Sequence, residues 1–458
     1  MKMKDWSTAL LIISLVMTPN VWADSMAGGE DLAKKVEQLT INMEKMKTTY
    51  EAKLSQMETE LNALKQTRPF PASLPQVPQL TGNQSTGGFD VDYVGRQNGP
   101  FGKGGVVAQT HSGFGTVSVG GYADIEFENF QSKHSTFDQH RFILNVGAEL
   151  GERLRFYSEY EIEHGGPNAA GGGEAKVEQA WMDYLINKHI NVRVGAILVP
   201  FGRYNLYHDS DLQDLTDRPL VNRDIIPTTW TESGAGLYGE FNPKIGEYED
   251  LVVGYEFYFI NGLTDGFNDT GLRGARGSIE SDNNNAKSIV GRTVISPAIG
   301  QEIGLSGYWG DINGQDDSIK GVGVDFLTTW GPLEVLGEWA FFSANDLPGS
   351  DSANKFHGGY LQANYHFWFD QLNETFLGKT FQNPTFTFVN RLGYAHIDDD
   401  DGDAALNDNR EVRWTIGLNY RPVESWVLKL EYQNNLTRAE TLERGDSEGF
   451  LASIAMGF

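Results

Sequence analysis

Glu411-Val412-Arg413-Trp414-Thr415-Ile416-Gly417-Leu418-Asn419-Tyr420-Arg421 alternates between apolar and polar side chains without a break. Val412, Trp414, Ile416, Leu418 and Tyr420 take one face, and Glu411, Arg413, Thr415, Gly417, Asn419 and Arg421 take the other. A period of two belongs to a β-strand, whose successive side chains point to opposite sides. One face of this strand therefore meets an apolar medium and the other meets water. The next segment repeats the pattern, with Trp426, Leu428, Leu430 and Tyr432 opposed by Lys429, Glu431 and Gln433. So does an earlier one, with Phe142, Leu144, Val146, Ala148 and Leu150 opposed by Arg141, Asn145 and Glu149. The last segment sets Phe450, Ala452, Ile454, Met456 and Phe458 against Leu451, Ser453, Ala455 and Gly457.

Two folds fit such strands. In a soluble sandwich the apolar faces meet in a core, and in a membrane barrel they meet lipid. Full charges and glycines on the polar faces suit a water-filled lumen. Aromatics gather near segment ends, as at Tyr157 and Tyr160, Trp426 and Tyr432, and 367–369, where interfacial girdles lie. Phe458 falls on the outward face of a last strand, as is common in outer-membrane barrels. The expected fold is therefore all-β: an antiparallel transmembrane barrel over 114–458 with about sixteen strands, beginning 114–130, 136–150, 153–163, 174–187 and 190–198. Connections after even-numbered strands are mostly short, such as 151–152, 188–189 and 422–423. After odd-numbered strands they are long and polar, as at 164–173, 199–233, 263–285 and 398–408. This asymmetry is that of short periplasmic turns and long outer loops. Segment 369–383 departs from it.

The residues before the barrel read differently. Lys2 and Lys4, an apolar run from Ala9 to Met17 and the small-residue site Val21-Trp22-Ala23 predict a signal peptide over 1–23. Over 24–67 a helix is expected, with apolar positions Leu32, Val36, Leu39, Met43, Met46, Tyr50, Leu54, Met57, Leu61 and Leu64 spaced by threes and fours. That spacing buries a seam against copies of the same helix, as in a periplasmic coiled coil. Residues 68–113 form a linker: Pro69, Pro71, Pro75 and Pro78 stiffen its first part, and glycine dominates the rest. Residues 81–113 either cross the periplasmic mouth or lie partly inside it.

The chain of 458 residues carries 36 Lys and Arg against 62 Asp and Glu, a net charge of −26, and no cysteine. Disulfides, thiolate metal sites and cysteine nucleophiles are thereby excluded, and nucleic acid is not an expected partner. G-x-S-x-G, H-E-x-x-H and P-loop motifs are absent from the sequence. No catalytic residue, cofactor or metal site is expected. Asp398 to Asp401 with Asp403 reads as a solvated outer-loop run.

The connection 199–233 is too long to be a simple link. It holds Arg203, His208, Asp209, Asp211, Asp214, Asp217, Arg218, Arg223, Asp224 and Glu232, so its charge is 3 − 6 = −3. It is expected to fold inward as a constriction, facing wall residues Arg141, Arg155, Glu159, Glu161, Arg193, Arg391, Arg413 and Lys429. Opposed charges there set a transverse field that selects permeants. The acidic loop and the basic wall leave the sign of the permeant open.

Four blocks carry a family resemblance: Arg155-Phe156-Tyr157-Ser158-Glu159-Tyr160-Glu161-Ile162-Glu163-His164, Val177-Glu178-Gln179-Ala180-Trp181, Val194-Gly195-Ala196-Ile197-Leu198-Val199-Pro200-Phe201-Gly202, and Asn222-Arg223-Asp224-Ile225-Ile226-Pro227-Thr228-Thr229-Trp230. Together they resemble the phosphate-selective porin O and P family, most strongly over 114–241. The resemblance implies a trimeric, sixteen-stranded outer-membrane channel, constricted by the loop after strand five, with anions such as phosphate among its permeants. The expected function is passive diffusion of small hydrophilic solutes or ions, with outer-membrane lipid and further copies of the chain as partners. The competing reading is a structural envelope protein that tethers the outer membrane through its coiled coil.

Overall fold

The computed structural model describes residues 89–96, 99–110, 114–131, 133–167, 173–244, 251–277, 279–280, 282, 285, 287–312, 317–345, 353–398, 409–438 and 447–458. The signal segment, the seam-bearing helix, the proline spacer and most of the acidic run at 398–403 lie outside these residues.

Two short strands come first, β1 (Phe89–Val94) and β2 (Gly105–Thr110). Sixteen longer ones follow: β3 (Gly115–Phe130), β4 (Thr136–Leu150), β5 (Leu154–Glu163), β6 (Glu174–Asn187), β7 (Ile190–Leu198), β8 (Thr231–Phe241), β9 (Val252–Ile260) and β10 (Ser288–Ala298). The series ends with β11 (Gln301–Asp311), β12 (Ser318–Trp330), β13 (Leu333–Ala344), β14 (Lys355–Phe367), β15 (Thr385–Asp398), β16 (Asn409–Arg421), β17 (Trp426–Arg438) and β18 (Ser447–Gly457). Each pairs antiparallel with its successor, and β18 returns to β3, from Gly449 opposite Phe130 to Gly457 opposite Tyr122. Sixteen strands thus close into a barrel with no free edge.

Burial runs opposite to that of a soluble protein. On β16, Trp414 and Leu418 are 42% and 41% exposed, whereas Arg413, Thr415 and Asn419 are 6%, 0% and 1% exposed. Large apolar side chains cover the outside around the barrel, Val322, Trp339, Leu361, Leu392 and Ile454 among them. So broad an apolar surface marks contact with lipid or with other subunits. The alternation is therefore that of a membrane barrel.

Short turns lie at one end. Gly331, at φ 59, makes the tight turn from β12 to β13, a conformation that glycine adopts without steric cost. Segment 368–384, at the same end, holds no strand. It is a turn-rich excursion with one 3-10 turn at Asp370–Leu372.

The long connection between β7 and β8 folds into the barrel. It opens with a four-residue helix, α1 (Arg203–Leu206), and carries a π-type turn at Val221–Ile225. Phe201, Leu220, Val221, Ile225, Ile226 and Trp230 are fully buried, packed with Tyr308, Phe342 and Phe356 of the wall and with Leu263 and Leu272 of the connection after β9. One part of the lumen is thus a dry core. Burying six such side chains supplies roughly 1.5–3 kcal/mol each, which holds the loop inward.

The described part of the glycine-rich linker is folded. β1 pairs with β2, and β2 continues along the edge of β3 where β18 has ended. The segment between them enters the lumen: Phe101 packs on Tyr157 and Trp181 at ring-centroid distances of 5.5 and 5.8 Å. Of the two expected placements, the described part of the segment reaches inside the barrel.

Candidate functional site

The loop 199–230 is pinned at several points across the lumen. Its first anchor is Glu338 on β13. Gly202 takes φ 72 and sits against that carboxylate, where a Cβ would come within 2.6 Å of it. Glu338 accepts from the backbone N–H of Arg203 at 2.6 Å and of Tyr204 at 3.0 Å, and from the Asn222 amide at 2.8 Å. Three donors converging on one carboxylate satisfy a charge that burial would otherwise disfavour.

The acids of the loop are matched one by one. Asp209 receives Arg96 at 2.6 Å and Lys103 from the segment between β1 and β2, and Asp211 receives Arg96 at 3.0 Å. Burial disfavours the Asp209 charge, but Lys103 and Arg96 outweigh it and hold the carboxyl well below the usual range. Asp214 meets Arg421 at 3.2 Å and the Asn364 amide at 2.8 Å. Asp217 meets Arg413 and Gln433, each at 3.0 Å. Arg223 bridges Asp224 and Glu411 at 2.6 and 2.5 Å. His208 pairs with Glu178 at 2.8 Å. The side chain of Arg203 lies over the Tyr207 ring at 4.7 Å.

The expected wall residues divide into two groups. Arg391, Arg413 and Lys429 are buried beneath the loop. Arg391 donates to Asp217 O at 2.6 Å, Arg413 to the Asp217 carboxylate, and Lys429 to Ser210 O at 2.8 Å. These three are struts for the loop. Arg141 pairs with Glu161 and Glu163 at 3.2 and 3.3 Å, and Glu161 also meets Lys176 at 2.9 Å. Glu159 accepts from Gln179 at 2.7 Å and lies 3.8 Å from Lys103. Arg193 is held by Asp183 at 2.8 Å over the Trp181 ring, and Arg155 pairs with Glu149 at 2.8 Å.

Among the described residues, two of the larger cavities lie beside the loop. One, of about 660 Å³, is lined by Arg155, Lys188, Arg193 and Arg292, by Glu240, Glu256 and Glu302, and by Tyr207 at the loop. Its residues come from the short-turn ends of β5 to β11. The other, of about 390 Å³, opens toward the long connections and is lined by Lys176, Glu174, Glu178, Thr229, Arg273 and Arg276. Arg273 and Arg276 line that second cavity, and Arg218 joins them at the carbonyls beside it. Arg218 and Arg273 donate to Thr228 O, Arg273 at 2.5 Å, and Arg276 donates to Thr229 O at 2.9 Å. Among the described residues none of the three has a carboxylate within 4.0 Å. Burial and the neighbouring Arg218 and Arg276 disfavour the charge on Arg273, and burial and Arg218 do the same to Arg276. A guanidinium does not shed its proton in proteins, and more distant carboxylates act in its favour, Glu163 on Arg273 and Glu174, Glu163 and Glu161 on Arg276.

Glu338, Arg273, Arg276, Arg96, Lys103 and Phe101 are absent from the sequence-based site. Glu338 had a signal, because it falls on the inward phase of β13. Arg273 and Arg276 sit in a connection with no periodicity to read.

A family model described as phosphate-selective porin O and P matches residues 117–320 and 281–458. A curated relative from Aquifex aeolicus (strain VF5), described as an uncharacterized protein, is 37% identical over 153 residues, which make up 32% of this chain and 32% of the relative. The match thus spans about a third of that relative's length. Among solved structures, outer-membrane expressed OmpT of Vibrio cholerae aligns with a TM-score of 0.50 at 10% identity, covering 75% of this chain and 98% of its own. The anion-selective porin from Comamonas acidovorans aligns at 0.49 and 13% identity, covering 75% of this chain and all of its own. At such identities the likeness concerns the barrel fold.

Proposed function

This chain belongs to the phosphate-selective porin O and P family and forms an outer-membrane channel, and on that premise we propose that it conducts small anions past the loop 199–230. The observation that carries this reading is the convergence of Arg218, Arg273 and Arg276 on the carbonyls of Thr228 and Thr229 without a carboxylate partner. The acids that make the loop negative are engaged by Arg96, Lys103, Arg223, Arg413 and Arg421. A permeant therefore meets the unmatched cations rather than the loop's formal charge. The path runs along the β5–β11 side, where both cavities lie. Wall struts hold the loop against the β14–β18 side.

The chain works as a trimer in this reading, with part of the exposed apolar belt buried between copies. Its segment 24–67 forms a periplasmic coiled coil that helps the copies associate, after removal of residues 1–23. The tether reading turns on segment 24–67, which lies outside the described residues.

Replacing Arg218, Arg273 and Arg276 together by Ala is the test. In a KCl gradient across a planar bilayer, the reversal potential of the variant shifts toward cation preference. A triple variant with unchanged reversal potential would falsify the reading.

A further inference from the structure

Asp124, Glu126 and His140 meet on the lumen side of β3 and β4, with one donor atom of each within 4.8 Å of the other two. The backbone brings His140 there through an irregularity. Asp124 lies opposite Arg141, but Glu126 lies opposite Asp138, so Gln139 and His140 together oppose the single residue Ile125. Strict alternation would send His140, the neighbour of inward Arg141, toward lipid. The bulge turns it inward instead, as bulges re-aim side chains at functional positions. His140 Nδ1 then bonds to Glu126 and lies 3.7 Å from Asp124 Oδ2.

An independent observation points to a missing ligand. Asp124 is 1% exposed, and its Oδ1 has no hydrogen-bond partner. The cations nearest in the ladder are committed elsewhere: Arg141 to Glu161 and Glu163, and Lys429 to the carbonyls of Ser210 and Leu215. A buried carboxylate oxygen left unmatched is costly, and it calls for an unobserved partner.

We propose that Asp124, Glu126 and His140 bind a divalent transition-metal ion of the zinc class. Two carboxylates and an imidazole suit borderline cations rather than calcium or magnesium, which take oxygen ligands. Tetrahedral bonds of about 2.0–2.2 Å place donors roughly 3.3–3.6 Å apart. The Asp124–His140 separation is close to that, and the Glu126–His140 contact opens slightly to admit the ion. His164, stacked on His140 with ring centroids 5.7 Å apart and bonded to Asp138 at 2.7 Å, limits the freedom of the imidazole. Water completes the shell on the partly exposed side of His140.

Calorimetric titration of ZnCl2 into the chelator-treated, detergent-solubilised full chain tests the site. The wild type is expected to bind about one zinc per chain. Asp124→Asn and His140→Ala are each expected to weaken that binding at least ~10-fold, while His357→Ala, at a different histidine pair, leaves it unchanged. Heat-modifiable migration on gels verifies folding. If Asp124→Asn does not fold, His140→Ala carries the test, because its side chain is only partly buried. Absence of binding to the wild type, or equal binding by wild type and His140→Ala, overturns the proposal.

Discussion

Glu338 shows how one inward carboxylate can position a whole loop. Its three donors come from the first turn after β7 and from Asn222, on either side of the loop's apolar anchor. Removing the acceptor strands buried N–H groups, at about 1–3 kcal/mol each. Glu338→Ala is therefore expected to free the loop and to raise single-channel conductance with frequent flicker; a quiet channel of wild-type conductance would count against the anchor. Gly202→Ala should act in the same direction, since its Cβ meets the same carboxylate at a positive φ. Asp209 gives a pH expectation. A carboxyl with a depressed folded pKa contributes stability above its unfolded value, near 3.9. That contribution fades only as pH falls through the lower folded value. Asp209→Asn should thus destabilise the protein by about 3 kcal/mol, and the difference in urea unfolding should stay constant from pH 8 down to about 5. A difference that vanishes near pH 6 would contradict the pairing with Lys103 and Arg96.

At the scale of elements, the strands were legible and their partnerships were not. Period-two runs such as 411–421 placed the body of β16 and its end at Arg421, because each position must choose between lipid and lumen. The first five spans of the barrel agree to within a residue at each end. The connection 199–233 was readable as a long, charged insertion, although Thr231, Glu232 and Ser233 belong to β8. That its acids would be consumed by Arg96, Lys103, Arg413 and Arg421 was not, since those partners lie between about 100 and 210 positions away, a separation no local pattern encodes. Arg391, Arg413 and Lys429 read as wall charges facing the loop, and the fold places the loop directly on them, although the atoms they hold, Asp217 and the Ser210 carbonyl, follow from no local pattern. The hairpin of β1 and β2 escaped because glycine hides periodicity. Its Phe101 packs on the wall, and Arg96 and Lys103 tie the segment between β1 and β2 to the loop. Arg96→Ala with Lys103→Ala is expected to loosen that plug and increase conductance, whereas unchanged conductance and protease resistance at 89–110 would show the contact to be incidental.

Over the whole molecule, charge and apolarity are arranged inside out. Trp414 and Leu418 face outward, and Arg413 and Asn419 are enclosed. The formal charge of −26 says little about selectivity, because most lumenal acids already hold a cation. Among the described residues, Arg218, Arg273 and Arg276 form a small group of arginines without a carboxylate within 4.0 Å. Single channels of the purified wild-type protein in a planar bilayer, with reversal potential read under a KCl gradient, test this most directly. Discrete conductance steps with chloride favoured over potassium are the expected result. A folded barrel that passes no current, or one that favours potassium, would contradict it.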